Sequence, residues 1–114
     1  MEKICEVKMK RMLLLLTLAT AIARAEDWQN GDSLFDATKR NHAQINIKWV
    51  LVENVQAACN AETVCRGYEA FSHAIDACSF WKGNGCVVYS QKITTQHTLG
   101  HEVRHCFAGS FHPT

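Results

Sequence analysis

The alternation of apolar and polar residues is clearest in the middle of the chain, where the stretch INIKWVLV begins. Ile45, Ile47, Trp49 and Leu51 recur with a period of two, which is typical of a half-buried β-strand. In the next stretch, ENVQAACNAETVCRG, the apolar residues have helical spacing and Gly67 stands where a helix C-cap is expected. The pattern therefore predicts a strand followed directly by a helix.

The second half of the chain also contains strand and helix patterns. YEAFSHAIDACSFW is ambiguous between a strand and a helix, whereas CVVYSQKIT, after a glycine-rich turn, has strand composition. From Thr95 to Ala108 only Gly100 interrupts a helical pattern, and Gly109 supplies a stop. Residues 26–44 are polar, with a short helix predicted around SLFDATKR. The sequence thus predicts a small α+β domain in which a few-stranded sheet packs on two or three helices.

The first 25 residues have the organisation of a secretory signal peptide. Lys8, Lys10 and Arg11 precede the apolar run MLLLLTLATAIA, and the small-residue sequence ARA ends at Ala25. The run is shorter than the roughly 20 residues of a membrane-spanning helix. We expect cleavage after Ala25, a domain of residues 26–114 and a secreted or periplasmic location without a membrane partner. A retained anchor is the alternative, and Met9 is an alternative start.

Charge and cysteine content constrain this domain further. Residues 26–114 carry seven Lys and Arg against nine Asp and Glu, a net charge of −2, so no nucleic-acid partner is expected. An exported small domain gains stability from disulfides, and two of them plus one spare thiol are predicted. Cys78 and Cys86 flank the turn SFWKGNG and form the favoured pair. A cysteine zinc site, the competing interpretation, lacks the usual C-x-x-C spacing. Aromatic residues are assigned to the core: Trp49, Phe80, Trp81 and Phe107.

The predicted C-terminal helix carries the strongest chemical signal, His101, Glu102 and His105 in the sequence HEVRH. Two imidazoles at i and i+4 have Cβ atoms about 5–6 Å apart, so both reach one Zn²⁺ at about 2.0–2.1 Å. Glu102 lies beside such an ion, where it can deprotonate a bound water. The apolar residues of the helix fall on its opposite face. A solvent-facing histidine pair is the alternative.

The HExxH sequence on a helix resembles the active-site helix of the zincin metallopeptidases. In the metzincin branch the motif continues as HExxHxxGxxH, and here it is HExxHxxxGxxH, with Gly109 and His112 each one residue later. The resemblance implies that His112 is the third metal ligand, Zn²⁺ the cofactor, Glu102 the general base and a peptide or protein the substrate. No Met-turn or glutamate-bearing helix follows within the sequence, so a minimal zincin-like domain is expected.

Other residues compete for the third ligand position. They are Glu69, His73 and Asp76, all in the ambiguous segment. His97 continues the histidine stripe but lies about 12 Å from His105 along the helix axis, too far to share an ion with it. It is interpreted as a helix-start residue or a neighbour of the ligands.

The zincin resemblance also implies that residues 86–92 form an edge strand that pairs with the substrate main chain. An ordinary core strand is the alternative. Tyr89 and Arg104 are weaker candidates for stabilising a developing oxyanion, and Arg104 is alternatively a solvated charge.

The sequence leaves three functions open. The first is an exported zinc peptidase that hydrolyses amide bonds with metal-activated water. The second is a secreted, disulfide-rich interaction protein whose metal is structural or absent. The third is an amidase or endopeptidase that acts on peptidoglycan. The sequence makes no prediction about oligomeric state.

Overall fold

The computed structural model describes residues 26–112, so the predicted signal peptide lies outside the described residues. The elements, in chain order, are a short 3-10 turn (Ala37–Lys39), β1 (Asn46–Leu51), α1 (Val55–Cys65), β2 (Ala77–Lys82), β3 (Gly85–Ser90) and α2 (Gln96–Ala108). The predicted α+β class is confirmed. Among these residues no helix is both long and apolar enough to cross a membrane.

The three strands form one sheet with the order β1-β3-β2. β1 runs parallel to β3, and β2 is antiparallel to β3 across a tight turn in which Gly83 has a φ of 59°. β3 therefore lies in the centre, with its hydrogen-bonding groups paired on both sides. The expectation that residues 86–92 form a substrate-binding edge strand is wrong, and the core-strand alternative is correct.

The two helices lie on opposite faces of this sheet. Successive residues of a strand point to opposite sides, so β3 contributes Cys86 and Val88 to one face and Tyr89 to the other. The first face packs against α2 through a core of Cys86, Val88 and Cys106, with Ile45, Leu99 and Phe107 around it. The second packs against α1 through Val55, Cys59, Cys78 and Tyr89. The sheet is thus the middle of three layers.

One disulfide joins each helix to the sheet. Cys59–Cys78 connects α1 to β2, and Cys86–Cys106 connects β3 to α2. The predicted Cys78–Cys86 pair is wrong because these residues project from opposite faces of the sheet. The predicted spare thiol is wrong too, since Cys65 is also disulfide-bonded. Each described disulfide closes about 20 residues and is expected to add about 3 kcal/mol of stability.

The apolar side of β1 is less buried than its alternation predicts. Ile47, Trp49 and Leu51 share the α2 face of the sheet, but α2 lies over β2 and β3, and these side chains are 39%, 51% and 54% exposed. The other side of β1 contributes Val50 to the α1 core. The assignment of Trp49 to the core is therefore wrong, and so is that of Trp81, which is 37% exposed.

Local signals account for the ends of α1. The side chain of Asn54 accepts a hydrogen bond from the Ala57 amide and caps the first turn. Beyond the last turn, Gly67 has a φ of 88°, a conformation that favours glycine. In the ambiguous segment, residues 68–76 are irregular and β2 begins at Ala77.

Candidate metal centre

α2 begins and ends where its sequence predicts. The Thr95 side chain accepts a hydrogen bond from the Thr98 amide at the N-terminus, and the Gly109 amide donates to the His105 carbonyl at the C-terminus. Gly109 has a φ of 69°, which ends the helix and redirects the chain. The redirected chain carries Phe111 and His112 back beside the last turns of α2.

Three histidines converge at this point. The Nε2 atom of His112 lies 2.8 Å from Nε2 of His101 and 2.8 Å from Nε2 of His105. The Nε2 atoms of His101 and His105 are 3.2 Å apart. The structure therefore brings together the two helical histidines and the third one that the zincin resemblance implied, and this cluster could hold a metal ion.

The geometry of the three nitrogens suits a small cation. A tetrahedral ion at about 2.0–2.1 Å from each nitrogen separates its ligands by about 3.3–3.4 Å. The observed separations are shorter by a few tenths of an ångström, which side-chain rotation can supply. Three nitrogens this close repel one another when their lone pairs meet, and a cation bound by all three would remove that repulsion.

The proton on His105 is fixed by the end of the helix. Its Nδ1 lies 2.7 Å from the carbonyl oxygen of Gly109, and a carbonyl only accepts, so Nδ1 carries the proton and donates it. The neutral ring then presents an unprotonated Nε2 to the other two histidines. Hydrogen bonds of this type orient metal-binding histidines and raise their basicity.

The electrostatic surroundings keep the helical histidines neutral. Burial, together with the neighbouring histidines and Arg104, lowers the pKa of His101 to about 4. Burial also lowers the pKa of His105 to about 4, against the opposing effect of its bond to Gly109. Both rings are therefore unprotonated at neutral pH, the form that coordinates metals.

Glu102 follows His101 in α2 but is not part of the cluster. Its carboxylate is buried against β2, where the Ser79 hydroxyl donates a 2.7 Å hydrogen bond to Oε2. Burial raises the pKa of Glu102, and the Ser79 bond partly opposes the shift. Glu102 is absent from the group whose ligand atoms lie within 4.8 Å of one another, so among the described residues it is not one of the clustered ligands.

Aromatic rings enclose the histidines. The Trp28 ring stacks on His112 with centroids 4.2 Å apart, and Trp81 lies parallel to His105 at 5.6 Å. Phe111 is 4.4 Å from the His105 centroid. Sequence reasoning missed Trp28 and Phe111 as neighbours of the site and placed Trp81 in the core. The only sequence feature that indicated either residue as a neighbour of the site was the position of Phe111, which directly precedes His112.

The segment that carries Trp28, residues 26–35, is here called the N-terminal strap. Glu26 forms a 2.7 Å salt bridge with Arg104, and the Arg104 guanidinium lies between the rings of Phe35 and Phe111, 3.9 Å from each centroid. Arg104 thus joins the strap to the C-terminal tail, residues 109–112, and is not a solvated charge. These contacts hold the tail that contains His112.

The other candidates lie elsewhere. Glu69, His73 and Asp76 are outside the histidine cluster, and Glu69 and His73 are exposed. Tyr89 is buried under α1, on the face of the sheet opposite to the histidines. It cannot contact a reaction there, so its candidacy as an oxyanion stabiliser is wrong. His97 is next to His101, with ring centroids 6.4 Å apart, and belongs to the surroundings of the cluster.

Comparison with known proteins gave no matching family model, no matching curated protein and no matching solved structure. A functional assignment for this chain therefore depends on the chemistry of the histidine cluster.

Proposed function

We propose that the protein is an exported zinc hydrolase that cleaves amide bonds, with His101, His105 and His112 as metal ligands and Glu102 as general base. The observation that carries the proposal is the convergence of three Nε2 atoms within 3.2 Å of one another, at a helix that also carries the buried carboxylate of Glu102. Three imidazoles without thiolates suit Zn²⁺, and a signal peptide would deliver the domain outside the cytoplasm.

The number of ligands favours catalysis over a structural role. Structural zinc sites are closed by four protein ligands, whereas catalytic sites use three and keep a position for water or substrate. Within residues 26–112 the cluster has three members. Their enclosure by Trp28, Trp81 and Phe111 limits solvent access around the rings, which strengthens electrostatic interactions there.

Each residue has a chemical task in the proposed reaction. Bound zinc would supply Lewis acidity and lower the pKa of a water molecule. Glu102 would take one proton from the attacking water as the water oxygen bonds to the amide carbon. It then transfers the proton to the nitrogen as the C–N bond breaks, which yields an acid and an amine. The Ser79 hydroxyl holds Oε2, so we expect Oε1 to carry the proton.

The variant Glu102→Gln tests this assignment directly. It removes the base and retains the shape of the side chain, so zinc content should stay at one ion per chain while kcat for peptide hydrolysis falls by about 10²–10⁴-fold. Glu53→Gln changes an exposed glutamate outside the cluster and should retain full activity. Hydrolysis that persists in Glu102→Gln would exclude the proposed mechanism.

Two measurements separate the competing functions. In a secreted interaction protein with structural zinc, the Co²⁺-substituted protein would show an absorption spectrum insensitive to added hydroxamate, because no ligand position is open. A catalytic site would show a spectral change. Parallel assays with an unfolded protein and with peptidoglycan fragments then identify which class of amide is cleaved.

A further inference from the structure

The face of the sheet that carries α1 also contains a shallow cavity, open to solvent, of about 360 Å³, which the proposed hydrolysis does not use. α1 covers the end of this face where Cys78 and Tyr89 are buried. The cavity lies on the part of this face that α1 does not cover. Two sets of residues paired across the three strands line it: Asn46, Gly85 and Lys82 in one set, and Lys48, Val87 and Phe80 in the other.

The floor of the cavity is shaped by Gly85 on the central strand. A glycine there leaves a depression between the two edge strands, and a Cβ built on it would contact only the Lys82 carbonyl oxygen, at 3.5 Å. Val87 and Phe80 supply a half-buried apolar surface beside the depression. The cavity can therefore receive a small ring or an apolar group as well as a polar one.

Three cations from three different elements stand around this floor. Lys48 and Lys82 come from the two edge strands, which lie about 10 Å apart across β3. Arg66 follows α1, with its guanidinium 5.1 Å from the Phe80 centroid and its Nε bonded to Glu62 at 2.8 Å. Those two contacts hold the guanidinium over the cavity instead of leaving it to rotate in solvent.

The charge here contrasts with that of the rest of the domain. Residues 26–114 have a net charge of −2, yet three of their seven Lys and Arg line this one cavity. Among the described residues no acidic side chain lines it. Glu62 offsets part of the charge of Arg66, which leaves an excess of about two positive charges from Lys48 and Lys82.

We propose that this cavity binds a phosphate or sulfate group carried on a molecule with a ring or apolar portion. A guanidinium presents paired donors that match the oxygens of such groups, and two mobile ammonium groups favour a dianion over a single carboxylate. Val87 and Phe80 contact the ring portion. Because the histidines lie on the opposite face, the cavity anchors a ligand independently of the metal centre.

Phenyl phosphate and dextran sulfate are the probes, since one represents a small ligand and the other a polymer. Amide NMR titration at low salt should give saturable shifts at Gly85, Val87 and Arg66. Inorganic phosphate, with no ring, should bind more weakly than phenyl phosphate, and uncharged dextran should not bind. Saturable binding of phenyl phosphate supports the proposal. Binding of dextran sulfate alone would indicate attraction of a polyanion without the apolar contact and would overturn the proposal, as would no binding of either probe.

Matched variants separate a built site from diffuse surface charge. Lys48→Gln/Lys82→Gln should weaken binding at least tenfold, and Lys39→Gln/Lys92→Gln, which removes the same charge from exposed lysines outside the cavity, should change it less than twofold. Equal weakening by both double variants would refute the proposal.

Gly85→Gln tests the shape of the cavity without changing its charge. The new side chain should occupy the floor and weaken binding about tenfold, while circular dichroism and zinc content stay as in the unchanged protein. Binding that is unaffected by Gly85→Gln would show that the cavity does not hold the ligand. Zinc content is measured in every variant, so the failure of this proposal is distinguishable from failure of the metal centre.

Discussion

The two ring nitrogens of His105 have different tasks. Nδ1 donates to the Gly109 carbonyl at 2.7 Å, and Nε2 faces the other two histidines. Gly109 supplies the carbonyl that accepts this hydrogen bond. Its backbone φ is 69°, a conformation that residues with a β-carbon rarely adopt. A Cβ at this position would also lie 3.4 Å from the side-chain nitrogen Nδ2 of Asn41. One residue thus ends the helix, orients His105 and turns the chain towards His112.

The lowered pKa values of His101 and His105 predict a pH dependence of stability in the metal-free protein. Below pH 6.5 the unfolded chain binds protons that the folded state, with pKa values of about 4 at both rings, does not bind. The free energy of unfolding should therefore fall as the pH is lowered from about 6.5 to about 4. Urea unfolding with a chelator present, at pH 7 and pH 5, measures this difference.

Two comparisons identify the source of that pH dependence. Glu102 contributes to the pH dependence with the opposite sign. Because its pKa is raised in the folded state, the free energy of unfolding falls as the pH rises through the acidic range. Its effect is separated by repeating the measurement in Glu102→Gln. His101→Asn should reduce the loss between pH 7 and pH 5, whereas His73→Asn, at an exposed position, should not. An equal effect of both histidine variants would contradict the prediction.

At the level of secondary structure, each helix is held to the sheet by one disulfide, and only one of those helices carries the histidines. Replacing Cys86 and Cys106 by alanine should lower stability by about 3 kcal/mol. It should also weaken zinc binding at least tenfold, because α2 then shifts relative to the strap and β2. Competition with a chelator of known affinity, at low temperature, measures the change.

The Cys59–Cys78 disulfide provides the matched control. Its sequence separation is 19, compared with 20 for Cys86–Cys106, so its removal should cost a similar amount of stability. Zinc affinity should change less than threefold, since α1 is on the opposite face of the sheet. Leu99→Ala, which loosens α2 and leaves both disulfides intact, gives a milder version of the same test. Equal losses of zinc affinity from the two disulfide pairs would show that the separation of faces does not matter.

Over the whole molecule, the histidine cluster lies where the two ends of the described chain meet. The N-terminal strap supplies Trp28, α2 supplies two histidines, and the C-terminal tail supplies His112. The strap and the tail have no regular secondary structure and hold each other through the Arg104 contacts. An ion bound at the cluster would therefore join α2 to the tail, and Trp28 of the strap would contact it indirectly, through His112.

This arrangement predicts that zinc raises the melting temperature and that Trp28 contributes to the effect. Free zinc at 100 times its Kd should add about 2.7 kcal/mol to the free energy of unfolding.

The Trp28 variants test the contribution of the strap. Trp28→Ala should weaken zinc binding at least fivefold by releasing His112, and Trp28→Phe should restore most of the lost affinity. Thermal unfolding with and without zinc measures both effects. The control is Tyr68→Ala, which removes an exposed aromatic ring outside the cluster and should leave zinc binding unchanged.

Much of the fold follows from local signals. The bounds of α2 are set by Thr95 and Gly109, those of α1 by Asn54 and Gly67, and both depend on hydrogen bonds within a few residues. The i, i+4 spacing of His101 and His105 likewise places both rings on one side of a helix. These features were predictable because the interactions that determine them are short-range in sequence.

Long-range placement was not predictable in the same way. Cys78 and Cys86 are neighbours across a turn, yet the strand register sends them to opposite faces and to partners on different helices. The convergence of His112 on the helical pair depends on the turn at Gly109 and on stacking against Trp28, 84 positions earlier. The HExxH motif does not include either contact. The sequence by itself determined β1, α1, β3, α2 and the histidine pair, and the zincin resemblance pointed to His112. Tertiary packing decided the strand β2, the disulfides, the central position of β3 and the closure of His112 onto the pair, because those depend on contacts between distant segments.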